Sequence, residues 1–159
     1  MKHLFVCLCC FVFLNVHSQK PLNTWGDQGN GTYVNPILNA DYSDPDVCRV
    51  GNDYYMTSSS FNCLPGLQIL HSTDLVNWKI IGAALTDYPG TEFPDDDWRT
   101  RPQHGCGVWA PAIRYHEGEF YIYCGDPDRG IFMVKTKDPR GKWDDPVWVV
   151  KAKGYIDPC

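Results

Sequence analysis

The sequence predicts an all-β fold built from a repeated four-stranded unit. The 159 residues include 14 Gly and 12 Pro, a composition typical of many short strands joined by turns. Short β-like segments follow one another along the chain, and no segment has the apolar periodicity of a convincing amphipathic helix. The order of these segments then recurs later in the chain, which indicates a repeat architecture.

The N-terminal residues are predicted to be a secretory signal peptide rather than part of the fold. Lys2 and His3 precede an apolar run at 4–16, and Val16-His17-Ser18 suits cleavage by signal peptidase after Ser18. The run is too short to span a bilayer comfortably as a helix. We therefore expect a secreted or periplasmic protein with no membrane span after cleavage.

Export permits disulfides, but the cysteines show no obvious framework. Three of the eight cysteines lie in the predicted signal peptide. The five that remain are odd in number and lack metal-ligand spacing, so we expect no metal site from them and buried free thiols for most. They are Cys48, Cys63, Cys106, Cys124 and Cys159.

Four short strands are predicted in succession after the lead-in. Residues 46–50 and 54–58 are rich in Val, Tyr and Thr and flank the turn Gly51-Asn52-Asp53. Strands at 67–71 and 78–81 follow, separated by a polar turn segment. This set forms the first unit.

The second unit repeats the first with nearly constant spacing. Pro45 matches Pro111, 66 residues later, and Gly66 matches Gly130, 64 residues later. A four-stranded unit repeated head to tail is typical of a β-propeller blade. A closed propeller needs roughly four to eight blades, so we expect an N-terminal fragment with about two blades and the start of a third. The expected domains are a signal peptide at 1–18, a lead-in at 19–33 and a truncated propeller domain at 34–159.

Two aspartates occupy matching places in this repeat. Asp44, Ala110 and Asp157 each precede a proline where the first strand of a blade is predicted to open. First strands line the central channel of a propeller, so Asp44 and Asp157 are predicted neighbours at one mouth of it. Asp126 and Asp128 end a second strand, so they are weaker candidates for a place at this mouth. Taken alone, an Asp-Pro pair is more often a turn.

The overall charge and the aromatic content limit the class of partner. A formal net charge of −5 excludes a basic nucleic-acid binder. Aromatic residues make up 14% of the chain; they suit stacking on sugar rings, although most should simply fill sheet cores. The charged loop from Tyr88 to Gly107 is predicted to be a solvated insertion.

Five motifs follow one another along the mature chain: NPILNADYSDPDV, DYYMTSSSF, PGLQILHSTDLVNW, GVWAPAIRYHEGEFYIYC and YIDP. Together they resemble glycoside hydrolase family 43, in particular its β-xylosidase and α-L-arabinofuranosidase branch. The resemblance implies a five-bladed propeller that hydrolyses glycosidic bonds with inversion. It makes Asp44 the general base and Asp157 the carboxylate that tunes and orients the general acid. Phe61 and Trp109 would line the sugar subsite, with a core role about as plausible for each.

The general acid that the resemblance implies is a Glu in a later blade. Glu92, Glu117 and Glu119 do not stand in the expected motif, so we expect little or no activity from the 159 residues alone. No cofactor is expected, although a structural cation in the channel is possible. His104 could approach such a cation, but a lone loop histidine usually does not.

Two functions of different class remain open at this point. The first is an exported glycosidase that releases xylose or arabinose from plant-type oligosaccharides or polysaccharides. The second is a non-catalytic carbohydrate-binding propeller. Related fructan-active propellers are disfavoured because their Trp-Met-Asn-Asp-Pro-Asn motif is absent from this sequence.

Overall fold

The computed structural model describes residues 25–62, 64–86, 107–127 and 129–159. These residues form ten β-strands, all paired antiparallel, and no helix. In the same residues, no helix is long and apolar enough to cross a membrane. The predicted signal peptide at 1–18 lies outside them, as do Cys63, His104 and most of the predicted 88–107 insertion.

A short ribbon precedes the main sheets. Strand β1 (Gly26–Asp27) pairs with β2 (Tyr33–Val34). The turn between them is held locally, because Asp27 Oδ1 accepts a hydrogen bond of 2.7 Å from the Gly29 amide. This ribbon lies in the predicted lead-in except for Val34, the first residue of the predicted propeller domain.

Two four-stranded sheets follow, each with its strands in chain order. We call the first sheet blade 1. It comprises β3 (Asp46–Val50), β4 (Asp53–Thr57), β5 (Gly66–Ser72) and β6 (Lys79–Leu85). We call the second sheet blade 2. It comprises β7 (Trp109–His116), β8 (Glu119–Asp126), β9 (Gly130–Thr136) and β10 (Val147–Lys151).

The four predicted strands of blade 1 all form, and the last one is longer than predicted. Strand β6 continues through Gly82-Ala83-Ala84 to Leu85. Gly and Ala have low β-propensity, so the strand predicted from the sequence ended too early, at residue 81. Tertiary packing overrides this preference: a Cβ at Gly82 would lie 3.4 Å from the Pro139 carbonyl oxygen, so a turn of blade 2 closes directly on this strand.

The hydrophobic core lies between the two blades. Tyr55 of β4 packs edge to face on Phe120 of β8, with 4.8 Å between ring centroids. Trp143, which follows β9, is 5% exposed within this core, whereas Trp78, 65 residues earlier at the corresponding place in blade 1, is half-buried. Trp78 instead closes its own turn, since its Nε1 donates to the Leu75 carbonyl at 3.0 Å.

The thiols differ in exposure. Cys124 is buried, Cys48 is half-buried and Cys159 is exposed, and all three are free. Burial raises the pKa of the Cys124 thiol to about 12 and is the main cause that raises the pKa of Cys48 to about 11. Buried free thiols are predicted for most of the five cysteines; Cys124 fits this description, Cys48 fits it in part and Cys159 does not, while Cys63 and Cys106 lie outside the described residues.

The inner strands of the two blades lie side by side. Asp46 Oδ2 of β3 accepts a hydrogen bond of 2.7 Å from the Ile113 amide of β7 and also binds the Arg114 guanidinium. Ile113 is fully buried, so its amide needs such a partner. This contact joins the first strand of blade 1 to the first strand of blade 2, as the propeller prediction requires.

Candidate active site

The openings of the blades share an unusual backbone conformation. Asp44, Ala110 and Asp157 have φ values of 48°, 35° and 50°, and each precedes a proline. L-residues rarely adopt this left-handed region, at a cost of about 1–3 kcal/mol each when the residue is not glycine. Three matching positions with the same strained geometry support the register of the sequence repeat.

The carboxylate of Asp44 is held by two hydroxyl groups. Asp44 is exposed, and its Oδ2 accepts hydrogen bonds from Ser59 Oγ at 2.8 Å and from Ser43 Oγ at 3.0 Å. The Ser59 amide also donates to the Ser43 carbonyl at 3.0 Å, which fixes the end of β4 against the opening of β3. Among the described residues, no group donates to the other oxygen, Oδ1.

Ser59 connects this carboxylate to blade 2. Its Oγ accepts a hydrogen bond of 2.8 Å from the Ala110 amide, at the opening of β7. Next to it, Ser60 and Val108 exchange backbone hydrogen bonds of 2.9 and 3.1 Å. The residues that follow the second strand of blade 1 therefore hold the opening of blade 2 through hydrogen bonds.

The opening that contains Asp157 packs on blade 2 at the position that matches Ser59. Gly125, 66 residues after Ser59, lies under the 155–157 segment: a Cβ at Gly125 would come within 2.9 Å of Ile156 Cα and 3.4 Å of the Asp157 amide nitrogen. The Gly154 amide also donates to the Pro127 carbonyl at 2.8 Å. Asp157 is exposed, like Asp44.

These contacts place the three openings in one continuous series. Asp44 contacts Ser59, Ser59 contacts Ala110, and Trp109 beside Ala110 pairs with Gly125, which supports Asp157. The two predicted catalytic aspartates therefore lie at the first and the third of three matching openings, with Ala110 at the second. Their catalytic roles stay predictions.

The two predicted sugar-binding aromatic residues contact each other beside this series. The rings of Phe61 and Trp109 meet edge to face with 6.1 Å between centroids. Trp109 is 39% exposed and directly precedes Ala110. The exposed part of the indole lies beside the Asp44 network, and the sugar-binding role of both residues stays a prediction.

The other acidic residues are less suited to catalysis. Asp126 is paired with Arg129, with 3.5 Å between Oδ2 and Nη1, and Asp128 lies outside the described residues. Glu119 accepts hydrogen bonds from Tyr121 and Lys135, which hold the pKa of its carboxyl below the usual value. A general acid needs the opposite shift, so Glu119 does not fit that role.

Ser59 and Gly125 were not predicted from the sequence as parts of this site. The signal was present, because the two positions match in the repeat and Ser59 lies in a run of three serines. A cation site is not formed by the part of the chain that the structure describes, where no three His, Cys, Asp or Glu side chains converge. The expectation of a possible channel cation is therefore untested, as is that of no cofactor.

The fold and the paired openings together define a β-propeller with a carboxylate-lined rim. The chain belongs to glycosyl hydrolases family 43, whose sequence model matches residues 33–159. The two sheets are therefore successive blades of a five-bladed β-propeller. This confirms the family resemblance and the predicted fold class.

Relatives in this family carry names from xylan and arabinan chemistry. The chain is 43% identical over 136 residues to a non-reducing end α-L-arabinofuranosidase of Bacteroides ovatus, covering 80% of this chain and 23% of the relative. It is 40% identical over 134 residues to a β-xylosidase of Formosa agariphila, covering 84% and 22%. The crystal structure of a xylan β-1,4-xylosidase from Bacillus halodurans superposes with a TM-score of 0.61 at 31% identity, covering 74% and 23%. The chain thus spans less than a quarter of the length of these relatives.

Proposed function

We propose that this protein is an inverting glycoside hydrolase that cleaves xylosyl or arabinosyl O-glycosidic bonds in plant-type oligosaccharides or polysaccharides. The observation that supports it most is the placement of Asp44 and Asp157 at matching, exposed openings of inner strands. Successive openings of a five-bladed ring are about 72° apart, so these two are about 144° apart around the mouth. Inversion requires a general base and a general acid on two sides of a sugar, with their carboxyl groups about 6.5–9.5 Å apart. Asp44 would supply the base from one opening of the rim, and the acid would come from another blade.

Asp44 is proposed to be the general base. Two hydroxyl groups hold Oδ2, while Oδ1 accepts no hydrogen bond from the described residues. A base needs this arrangement, because one oxygen must be fixed while the other is directed at the water that attacks the anomeric carbon.

Asp157 is proposed to orient the general acid and to raise its pKa through like-charge repulsion. The acid itself is a Glu that the resemblance places in a later blade, beyond the stretch of its relatives that this chain covers. Cleavage would then proceed by protonation of the leaving oxygen on one face and attack by water on the other.

The sugar would be recognised by the aromatic pair and by rim groups near it. The exposed indole of Trp109 offers an apolar face for a pyranose or furanose ring, and Phe61 supports it from the side. The same pair would serve a non-catalytic carbohydrate-binding propeller, which is the alternative function. The predicted signal peptide supports the further proposal that either protein is secreted or periplasmic, where it would meet plant polysaccharides.

The test is hydrolysis by the protein expressed from its complete gene. We expect turnover of p-nitrophenyl β-D-xylopyranoside or p-nitrophenyl α-L-arabinofuranoside, and a loss of about 10²- to 10⁴-fold in kcat for Asp44→Asn. Asp41→Asn, an exposed carboxylate three residues earlier, is the matched control and should retain activity. Binding of xylo-oligosaccharides without any hydrolysis by the wild type would support the binding module instead.

A further inference from the structure

We propose that Ser59 is a positioning residue for Asp44, an inference that rests on the proposed function. In this proposal Ser59 does not bind the substrate itself and acts through the carboxylate of Asp44. Its hydroxyl lies between Asp44 Oδ2 and the Ala110 amide, at 2.8 Å from each. It thereby sets the direction of the base relative to blade 2.

The direction of the hydroxyl proton follows from its two neighbours. The Ala110 amide can only donate, so Ser59 Oγ accepts there with a lone pair. The single hydroxyl proton of Ser59 is then available to the carboxylate, which can only accept when ionised. Ser59 is 6% exposed, so little water competes for either bond.

Asp44 needs such a restraint because it is exposed and its terminal torsion is soft. The carboxylate torsion of Asp is broad and roughly two-fold, so packing alone would not fix it on an open rim. Ser43 also donates to Oδ2, but it is the chain neighbour of Asp44 and moves with it. Ser59 belongs to another strand end and ties the carboxylate to the opening of blade 2.

The experiment compares three variants of the protein expressed from its complete gene. Ser59→Ala removes the hydroxyl, Ser59→Cys keeps a group of similar size that is a weak donor, and Ser43→Ala removes the local donor. We expect kcat to fall about 10- to 100-fold in both Ser59 variants, because a small misplacement of a catalytic group is costly. KM should stay within about twofold, since the base does not contribute to ground-state binding. Ser43→Ala should lower kcat by less than the Ser59 variants do, because the Ser59 hydroxyl still binds Oδ2 in that protein.

Several results would overturn the proposal. A Ser59→Cys protein with the wild-type kcat would show that donation to Asp44 is unnecessary. An equal loss in Ser43→Ala would show that the link to blade 2 is irrelevant. A Ser59→Cys protein that fails to fold, judged by circular dichroism, would assign Ser59 a structural role. An inactive wild type would instead reject the proposed function, which keeps the two failures distinct.

Discussion

The two junctions between successive blade openings occupy matching positions but are held by different contacts. Where blade 1 supports the opening of blade 2, Ser59 supplies a hydroxyl that bonds the Ala110 amide. Where blade 2 supports the opening at Asp157, the matching residue is Gly125, and the backbone of 155–157 lies directly on it. One junction is polar and directional, while the other depends on close packing without a side chain.

The same contrast holds one step further along the inner strands. Asp46 of β3 binds the Ile113 amide and the Arg114 side chain of the neighbouring blade, whereas the matching residue of β7 is Ala112. Blade 1 therefore carries side-chain hydrogen bonds at two successive points of its contact with blade 2. A repeat can keep its backbone register while the groups that join its units differ.

The largest effect is expected where a side chain is added to the close-packed junction. Gly125→Ala should lower the free energy of unfolding by about 1–3 kcal/mol, because the new Cβ would lie 2.9 Å from Ile156 Cα and must displace backbone. It should also move the Asp157 segment, and with it lower kcat in the proposed reaction. Urea unfolding and steady-state kinetics measure the two effects.

Gly141→Ala is the matched control for this change. Its Cβ would meet its nearest neighbour at an ordinary 3.4 Å and the residue is exposed, so the free energy of unfolding should change by less than about 0.5 kcal/mol. If Gly125→Ala were as stable and as active as the control, the close-packed description of the second junction would be wrong.

A smaller effect is expected at the polar junction. Asp46→Ala should lower the free energy of unfolding by about 1–2 kcal/mol, because the buried Ile113 amide loses its acceptor. Asp46→Asn keeps an acceptor oxygen and should lose less. Thermal unfolding of the two variants separates them, and equal losses would mean that the hydrogen bond to Ile113 contributes little.

The repeat predicted the sheets well because it rests on spacing and strand propensity, which act locally. The order of four strands, the span of β3 and the matched openings at Asp44, Ala110 and Asp157 all follow from that spacing. The end of β6 did not follow, since tertiary contact with the Pro139 turn overrides the low β-propensity of its Gly and Ala residues.

The groups that hold the site were harder to predict than the carboxylates. Asp44 and Asp157 stand out because an Asp-Pro pair recurs in register, but Ser59 is one of three adjacent serines and its partner lies 51 residues away. Which serine reaches Ala110 depends on the direction of a side chain at a strand end. Gly125 is recognised only once the segment that crosses it is known.

The smallest effect is expected at a position where each blade carries a contact between an acidic and a basic side chain. Asp53 Oδ1 lies 2.6 Å from His71 Nε2 between β4 and β5, and Glu119 binds Lys135 at 3.2 Å between β8 and β9. The blade 2 pair lowers the pKa of Glu119 below its usual 4.5, mainly through hydrogen bonds from Tyr121 and Lys135. The pair therefore contributes stability above that usual value, and the contribution is lost as the pH falls through the lowered pKa.

Glu119→Gln should consequently be slightly less stable than the wild type at neutral pH, and the difference should shrink as the pH falls below about 4.5. Glu117→Gln, in the same turn and 83% exposed at its side chain, is the control and should show a smaller difference at neutral pH. Urea unfolding across this pH range measures both. If the difference in the free energy of unfolding between Glu119→Gln and the wild type grew on acidification, it would have the wrong sign for a carboxyl stabilised in its ionised form. The Glu119–Lys135 pair would then not be among the contacts that stabilise β8 and β9.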